Sequence, residues 1–321
     1  MPALQNSFKT YEAVGNREDL SDVIYNIAPS DTPVLTAIGS TSADSTKHEW
    51  QTDDLAKAKD NAQVEGFEAE IEASSPTKRV HNYTQIFSKT VAVSNTQESV
   101  NKAGRSSEMA YQTAKRMKEM KLDMELAILS NTASNAGNAN TPRRLGGFPA
   151  WIASNINFGE GGAAGADGST AFTPGTAREL SEDMLTDVLT KGYENGAKMS
   201  KIFVAPAMKG FISKTFGGTG AKVTTYRQEQ SKTAGVVVEV YQSDFGLLDI
   251  VPNRVMAADG LEDKVFVIDP AYASVAWLRR VTRKPLAETG DNKKALMVAE
   301  VTLKVNNEKA HGMIADVNTG A

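Results

Sequence analysis

The chain has no cysteine among its 321 residues. Disulfide staples, iron–sulfur centres, Cys-based zinc sites and thiol catalysis are thereby excluded. Histidine is nearly as scarce. His48, His81 and His311 lie far apart, none with another within helical reach, so no metal-binding helix motif exists. No apolar run approaches the roughly 20 residues that cross a bilayer. The start, Met1-Pro2-Ala3-Leu4, has neither the basic patch nor the apolar stretch of a secretion signal. The expectation is synthesis in the cytoplasm with no membrane partner. Neither charge dominates: 35 basic and 39 acidic residues leave a formal net charge of −4, without the positive excess of a dedicated nucleic-acid binder.

Catalytic and cofactor motifs are also missing. Phe216-Gly217-Gly218-Thr219-Gly220-Ala221-Lys222 has the glycines of a phosphate loop but not their spacing, because Ala221 separates Gly220 from Lys222 and Val223 follows. No Gly-x-Ser-x-Gly elbow sets up a nucleophile. Asp53, Asp54, Glu68, Glu70 and Glu72 read as solvated carboxylates with no pocket to tune them. No cofactor, metal or catalytic residue is expected.

What is present is a chain of contrasting segments. The first 45 residues are polar and aperiodic, with one short helical stretch at Asp19–Tyr25 and prolines at 29 and 33 that interrupt helix and sheet. An extended arm that needs a surface to lie on fits them best. Thr46–Gln51 and Val80–Ser94 alternate like strands. Between them lies a charged stretch, and together they predict a long two-stranded protrusion, marginal by itself. His48 and His81 would then face each other across it.

Residues 104–130 give the clearest helix. Met109, Thr113, Met117, Met120, Met124 and Ala127 recur every three or four residues, with Leu122, Leu126 and Leu129 beside them; the polar remainder includes Lys115, Lys118, Lys121 and Glu125. From Asn131 to Gly175 turn formers dominate and predict loop or weakly structured chain, with Arg143-Arg144-Leu145-Gly146-Gly147 as a fixed turn inside it. A capping-box spacing at Thr176 and Glu179 predicts a helix over Leu180, Met184, Leu185, Val188 and Leu189. Lys201–Ala205 follows as a buried strand and Pro206 opens another helix. Strands are expected at 246–251, 264–268, 275–281, 295–305 and 311–317, with Pro252, Pro270 and Pro285 between elements.

A basic cluster at Arg279, Arg280, Arg283 and Lys284 stands opposite in sign to the acidic stretch at 53–72. Complementary patches on one chain suit a repeating homomeric lattice. A basic strip touching nucleic acid is the second reading, and an idle solvated surface the third.

The order of these elements resembles the tailed-phage and herpesvirus-type capsid fold. Local wording is similar to one phage major-capsid family: Arg17-Glu18-Asp19-Leu20-Ser21-Asp22, Ile27-Ala28-Pro29-Ser30-Asp31-Thr32-Pro33, Arg143-Arg144-Leu145-Gly146-Gly147 and Asp269-Pro270-Ala271-Tyr272. The resemblance implies an α+β capsid fold with an N-terminal arm (1–45), an extended β-hairpin loop (46–94), a peripheral domain with a long spine helix and a glycine-rich loop (95–177), an axial domain (178–245) and completion of the peripheral domain (246–321). It implies a virion protein that self-assembles through hexamers and pentamers into an icosahedral head around double-stranded DNA. Scaffolding, portal and decoration proteins are its other expected partners. Because the sequence starts directly with the arm, a processed form or a separate scaffold is expected. Asp19, Asp22, Pro29, Pro33, Glu68, Glu70, Glu72, Arg279, Arg280 and Arg283 are the expected inter-subunit contacts. A non-viral compartment shell of the same fold and a soluble α/β enzyme without a recognisable motif are the alternatives.

Overall fold

A computed structural model describes residues 31–56, 58–68, 76–101, 106–216, 239–258 and 260–319. In chain order the elements are α1 (Pro33–Ala37), β1 (Gly39–Ser42), β2 (Lys47–Thr52), β3 (Lys78–Tyr83), β4 (Gln85–Ser94), α2 (Asn95–Ser99) and α3 (Glu108–Leu129). Then come α4 (Phe148–Trp151), β5 (Ile156–Asn157), β6 (Arg178–Glu179), α5 (Glu182–Glu194), β7 (Lys201–Val204) and α6 (Pro206–Thr215). The chain closes with β8 (Val240–Ser243), β9 (Gly246–Pro252), β10 (Val265–Ile268), β11 (Ala273–Leu286), β12 (Asn292–Val305), β13 (Gly312–Ile314) and β14 (Val317–Asn318).

Two sheets organise these elements. One has the order β1-β11-β12-β4, and α3 packs on it through the buried side chains Phe87, Val91 and Val93 of β4 and Ala295, Met297 and Ala299 of β12. The other has the order β5-β13-β10-β7-β9-β8, with α5 and α6 against it. Strands after Gly246 therefore divide between the two sheets. β9, β10 and β13 join β7, whose residues Ile202, Phe203 and Val204 are fully enclosed, while β11 and β12 join β4.

Helix α3 is 22 residues long, about 33 Å at 1.5 Å per residue. Its expected methionine face is inside: Met109, Met120 and Met124 are buried. The expectation for Glu125 fails, because this residue is wholly buried rather than part of the solvated face. At the other helix start the expected capping box also fails. Arg178 and Glu179 pair in parallel with Val317 and Asn318 instead, and α5 begins after Ser181. Tertiary strand pairing outweighs a local cap worth about 1 kcal/mol.

The stretch 80–94 is not one strand. Thr84 is buried at a break, its N–H bonded to the Thr46 carbonyl at 2.9 Å. Before it, β3 pairs with β2, and after it, β4 pairs with β12. In the β2–β3 ladder His48 stands opposite Asn82 and His81 opposite Glu49, so the two imidazoles lie on opposite faces and do not meet. Pro285 does not end a strand either. It sits within β11 opposite Ala295, beyond the reach of β1, which covers only Ser274–Trp277. A missing N–H is harmless on that open edge.

The glycine-rich segment differs most from expectation. It is packed into the core through Leu145, Phe148, Trp151, Ile152 and Phe172, all at most 2% exposed. Asn131 holds Phe172 by two bonds, donating to its carbonyl at 2.7 Å and accepting from its N–H at 2.9 Å. The glycines are there for close approach. A Cβ at Gly147 would lie 2.1 Å from the Ser130 carbonyl oxygen, and one at Gly159 2.0 Å from that of Thr176. Gly147→Ala is therefore expected to destabilise the fold by about 3 kcal/mol, the upper range for forced overpacking. A urea titration of the purified variant would show it, and an unchanged midpoint would refute the packing argument.

Candidate assembly surfaces

Buried polar side chains position the surfaces. Glu300, in the middle of β12, has a side chain only 4% exposed. Its carboxylate accepts from Thr84 Oγ1 at 2.8 Å, from Arg279 Nε at 2.8 Å and from Arg143 Nη2. Arg143 also donates to the Thr84 carbonyl at 3.2 Å. Beside this group, Asn82 donates to the Leu303 carbonyl at 2.7 Å and accepts the Gly146 N–H at 2.8 Å. The fixed turn expected at 143–147 is thus fastened to β12 and to the end of β3.

Glu125 does the same for the N-terminal side. One oxygen accepts the Val34 N–H at 2.9 Å and Asn253 Nδ2 at 2.7 Å; the other accepts the Leu35 N–H at 2.8 Å. Burial is the largest influence and pushes its carboxyl pKa upward, against the pull of those three donors. At the far end, Asp316 has a positive φ of 57°, a backbone state Asp tolerates. It accepts the N–H groups of Gly159 at 3.0 Å and Gly175 at 2.9 Å.

From this frame two parts face solvent. The base of the β2–β3 ladder is held by Trp50 against Trp151, ring centres 5.3 Å apart, and by an ion pair between Lys309 and Asp54 at 2.9 Å. Beyond Asp54 the described part of the connecting loop is exposed, including Leu55 at 98%, Val64 at 76% and Phe67 at 54%. The second is the outer edge of the sheet along the distal half of β11, exposed from Arg279 to Leu286 apart from Val281, beside a β12 that β4 and α3 cover. Register shifts between Trp277 and Arg279, and again between Arg279 and Thr282, bulge β11 before it continues alongside β12.

The expected contact residues fall in different places. Asp19, Asp22, Pro29, Glu70 and Glu72 lie outside the described residues. Pro33 opens α1, one residue before the Val34 anchor. Glu68 is exposed at the end of the described tip loop. Arg279 is partly engaged by Glu300, whereas Arg280 and Arg283 are exposed and have no ion-pair partner among the described residues. Glu125, Glu300, Asn82 and Asp316 were not anticipated. For Glu125 a signal existed: within Leu122–Leu129 every residue other than Asp123 and Glu125 is apolar.

Among the described residues no group of three or more His, Asp or Glu could hold a metal, and no helix is long and apolar enough to cross a membrane. His311 is fully buried with its ring against Phe148, and burial pushes its pKa down to about 4.

Comparison with known proteins decides the reading. Residues 5–318 match the family model described as SU10 major capsid protein. The chain belongs to this family. A curated relative, the major capsid protein of Escherichia phage Phieco32, is 28% identical over 349 residues, covering 96% of each chain. In fold, this capsid protein is similar to the capsid asymmetric unit of Cyanophage A-1(L), with a TM-score of 0.69, 12% identity and coverage of 96% of this chain and 98% of that one. The holo-SrpI encapsulin complex of Synechococcus elongatus is also similar, with a TM-score of 0.58, 9% identity and coverage of 95% and 94%. The compartment shell shares the fold alone, whereas the family match extends along nearly the whole sequence. The capsid protein is a structural component of the virion and not an enzyme, and copies of it assemble into the icosahedral phage head that encloses DNA.

The buried groups generate two expectations. Removing the charge of Glu300 by Glu300→Gln leaves Arg143 and Arg279 facing a weaker acceptor in a half-dry site. The loss should be about 3 kcal/mol, the lower range for breaking a buried pair, read from a denaturant midpoint. His311 gives a pH dependence with a definite sign. Its folded pKa lies below the unfolded value of 6.5, so the unfolded chain takes up a proton first and stability falls as pH drops from 6.5 to about 4. The full effect is about 3 kcal/mol by the pKa difference. Melting curves at pH 7 and pH 4.5 should differ less for His311→Gln than for the native chain, and equal differences would contradict the assignment.

Proposed function

We propose that the tip loop and this strand edge are the surfaces by which neighbouring subunits join into hexamers and pentamers. The β2–β3 ladder and its tip loop act as the extended loop, α3 as the spine helix of a peripheral domain, residues 178–245 as the axial domain and residues 1–45 as the arm. The carrying observation is the exposure of Leu55, Val64 and Phe67 beside Glu65 and Glu68 on the tip loop. Apolar side chains grouped on a projection mark a surface meant to be covered.

The acidic loop and the exposed guanidiniums of Arg280 and Arg283 supply the complementary signs. Each subunit carries both, so every copy can serve as donor and acceptor of the same contact. Asp19, Asp22, Pro29 and Pro33 of the arm, with Glu68, Glu70 and Glu72 of the loop, meet neighbours, and Arg279, Arg280 and Arg283 receive them. Exposed ion pairs are individually worth under about 1 kcal/mol, so assembly relies on many of them repeated around the shell. Scaffolding, portal and decoration proteins complete the particle, which forms from chains made in the host cytoplasm.

Reversing Glu68, Glu70 and Glu72 together to Lys sets like charges against the arginines. Shell yield, counted by negative-stain microscopy, should fall by about tenfold or more, while the circular dichroism melt of the subunit stays unchanged. Normal shells from the triple variant would remove the loop from the lattice contact.

A further inference from the structure

The dipeptide Asn-Gly occurs once in the chain, at Asn195-Gly196, where α5 ends. Glycine has no side chain to shield its main-chain nitrogen or restrict its rotation, so this pair is prone to close on itself. In that reaction the Gly196 nitrogen gives up its proton and attacks Asn195 Cγ. A C–N bond forms, the Cγ–Nδ2 bond breaks, and ammonia leaves with the proton. Water then opens the five-membered imide at one carbonyl or the other, giving aspartate or isoaspartate. No oxidant, reductant or metal is needed, and both residues are exposed to water.

Folding holds the reacting groups apart. Asn195 Nδ2 donates to Asn155 Oδ1 and to the Lys191 carbonyl, both at 2.9 Å. The Gly196 N–H donates to the Tyr193 carbonyl at 2.9 Å. Ring closure needs Cβ and the Gly196 nitrogen on the same side of the Asn195 Cα–C bond, and a ψ of 0° keeps them apart. Gly196, at a φ of 83°, makes the left-handed turn that fixes this helix end.

The same amide is a clasp. Asn155 is wholly buried, just before β5. Its own Nδ2 donates to the carbonyls of Lys309 at 2.5 Å and His311 at 3.1 Å, so Asn195 ties the end of α5 to the turn before β13. A carboxylate at position 195 has no proton to give. It sets a negative charge against two acceptors, Asn155 Oδ1 and the Lys191 carbonyl, at the end of a helix where the dipole also disfavours it. Lys191, the one cation of α5, is already engaged by Asp187 at 2.7 Å.

We infer that Asn195-Gly196 is a modification site that records unfolding: folded chains are spared, chains that linger unfolded lose the Asn195 amide, and the product cannot close the clasp. Loss of ammonia to solvent is irreversible, so the mark outlasts the unfolded state that produced it.

Mass spectrometry of the tryptic peptide Gly192–Lys198 would follow the change in the full-length subunit, native and in urea, at one pH. The native rate should be about a hundredfold lower, the factor for three hydrogen bonds of ordinary net strength that must open first. Equal rates in the two states would overturn the protection. Asn195→Asp, the product itself, should lower the urea midpoint of the subunit. The control N138D should not, because Asn138 Oδ1 only accepts, from the N–H groups of Asn140 and Thr141. A native midpoint for N195D, or the same loss in both variants, would overturn the clasp. The rate comparison uses the native chain alone and decides even where N195D fails to fold. Every measurement is made on the subunit, so shell formation has no part in the outcome.

Discussion

A negative charge in the middle of a sheet has to be answered, and the answer at Glu300 draws together three parts of the chain. Thr84 marks where the β-ladder changes partner, Arg143 belongs to the glycine-rich segment, and Arg279 lies between the two register shifts of β11. An isolated carboxylate at that depth would cost several kcal/mol. The ladder switch, the fixed turn and the bulged strand are therefore parts of one solution. The sheet cannot place Glu300 inside without the turn at 143–147 lying over it.

Much of the architecture was legible in sequence because it follows from periodicity. The methionine spacing located α3, β-branched alternation located β4 and β12, and Pro206 located the start of α6. What failed depended on distant partners. Glu125 looks like any charged residue of a helix, and only the docking of Val34 and Leu35 on it turns that position inward. The glycines of 131–175 look like looseness, but at Gly147 and Gly159 they permit backbone-to-backbone packing that composition cannot express. Contact surfaces are harder still. Exposure of Arg280 and Arg283, without an ion-pair partner among the described residues, emerges only after Arg279 has been claimed by Glu300.

On the proposed reading the molecule separates rigidity from adhesion. Its interior uses bonds that are expensive to break, among them the paired Glu300, the bidentate Asn131 and the glycine contacts. Its exposed loop and strand edge carry single charges and a few apolar side chains, each weak alone. Such a division suits a subunit that must keep one shape while forming contacts that can be corrected before a shell closes. Multiplied over a closed surface, small reversible terms become a large total without any one of them trapping an error.

The anchor at Glu125 has an evolutionary reading. It grips α1 through the main-chain N–H groups of Val34 and Leu35, and every residue other than proline offers that group. Substitutions at these two positions can alter packing but leave the hydrogen bonds available. The side chains there can thus diverge while the point of attachment on α3 stays the same.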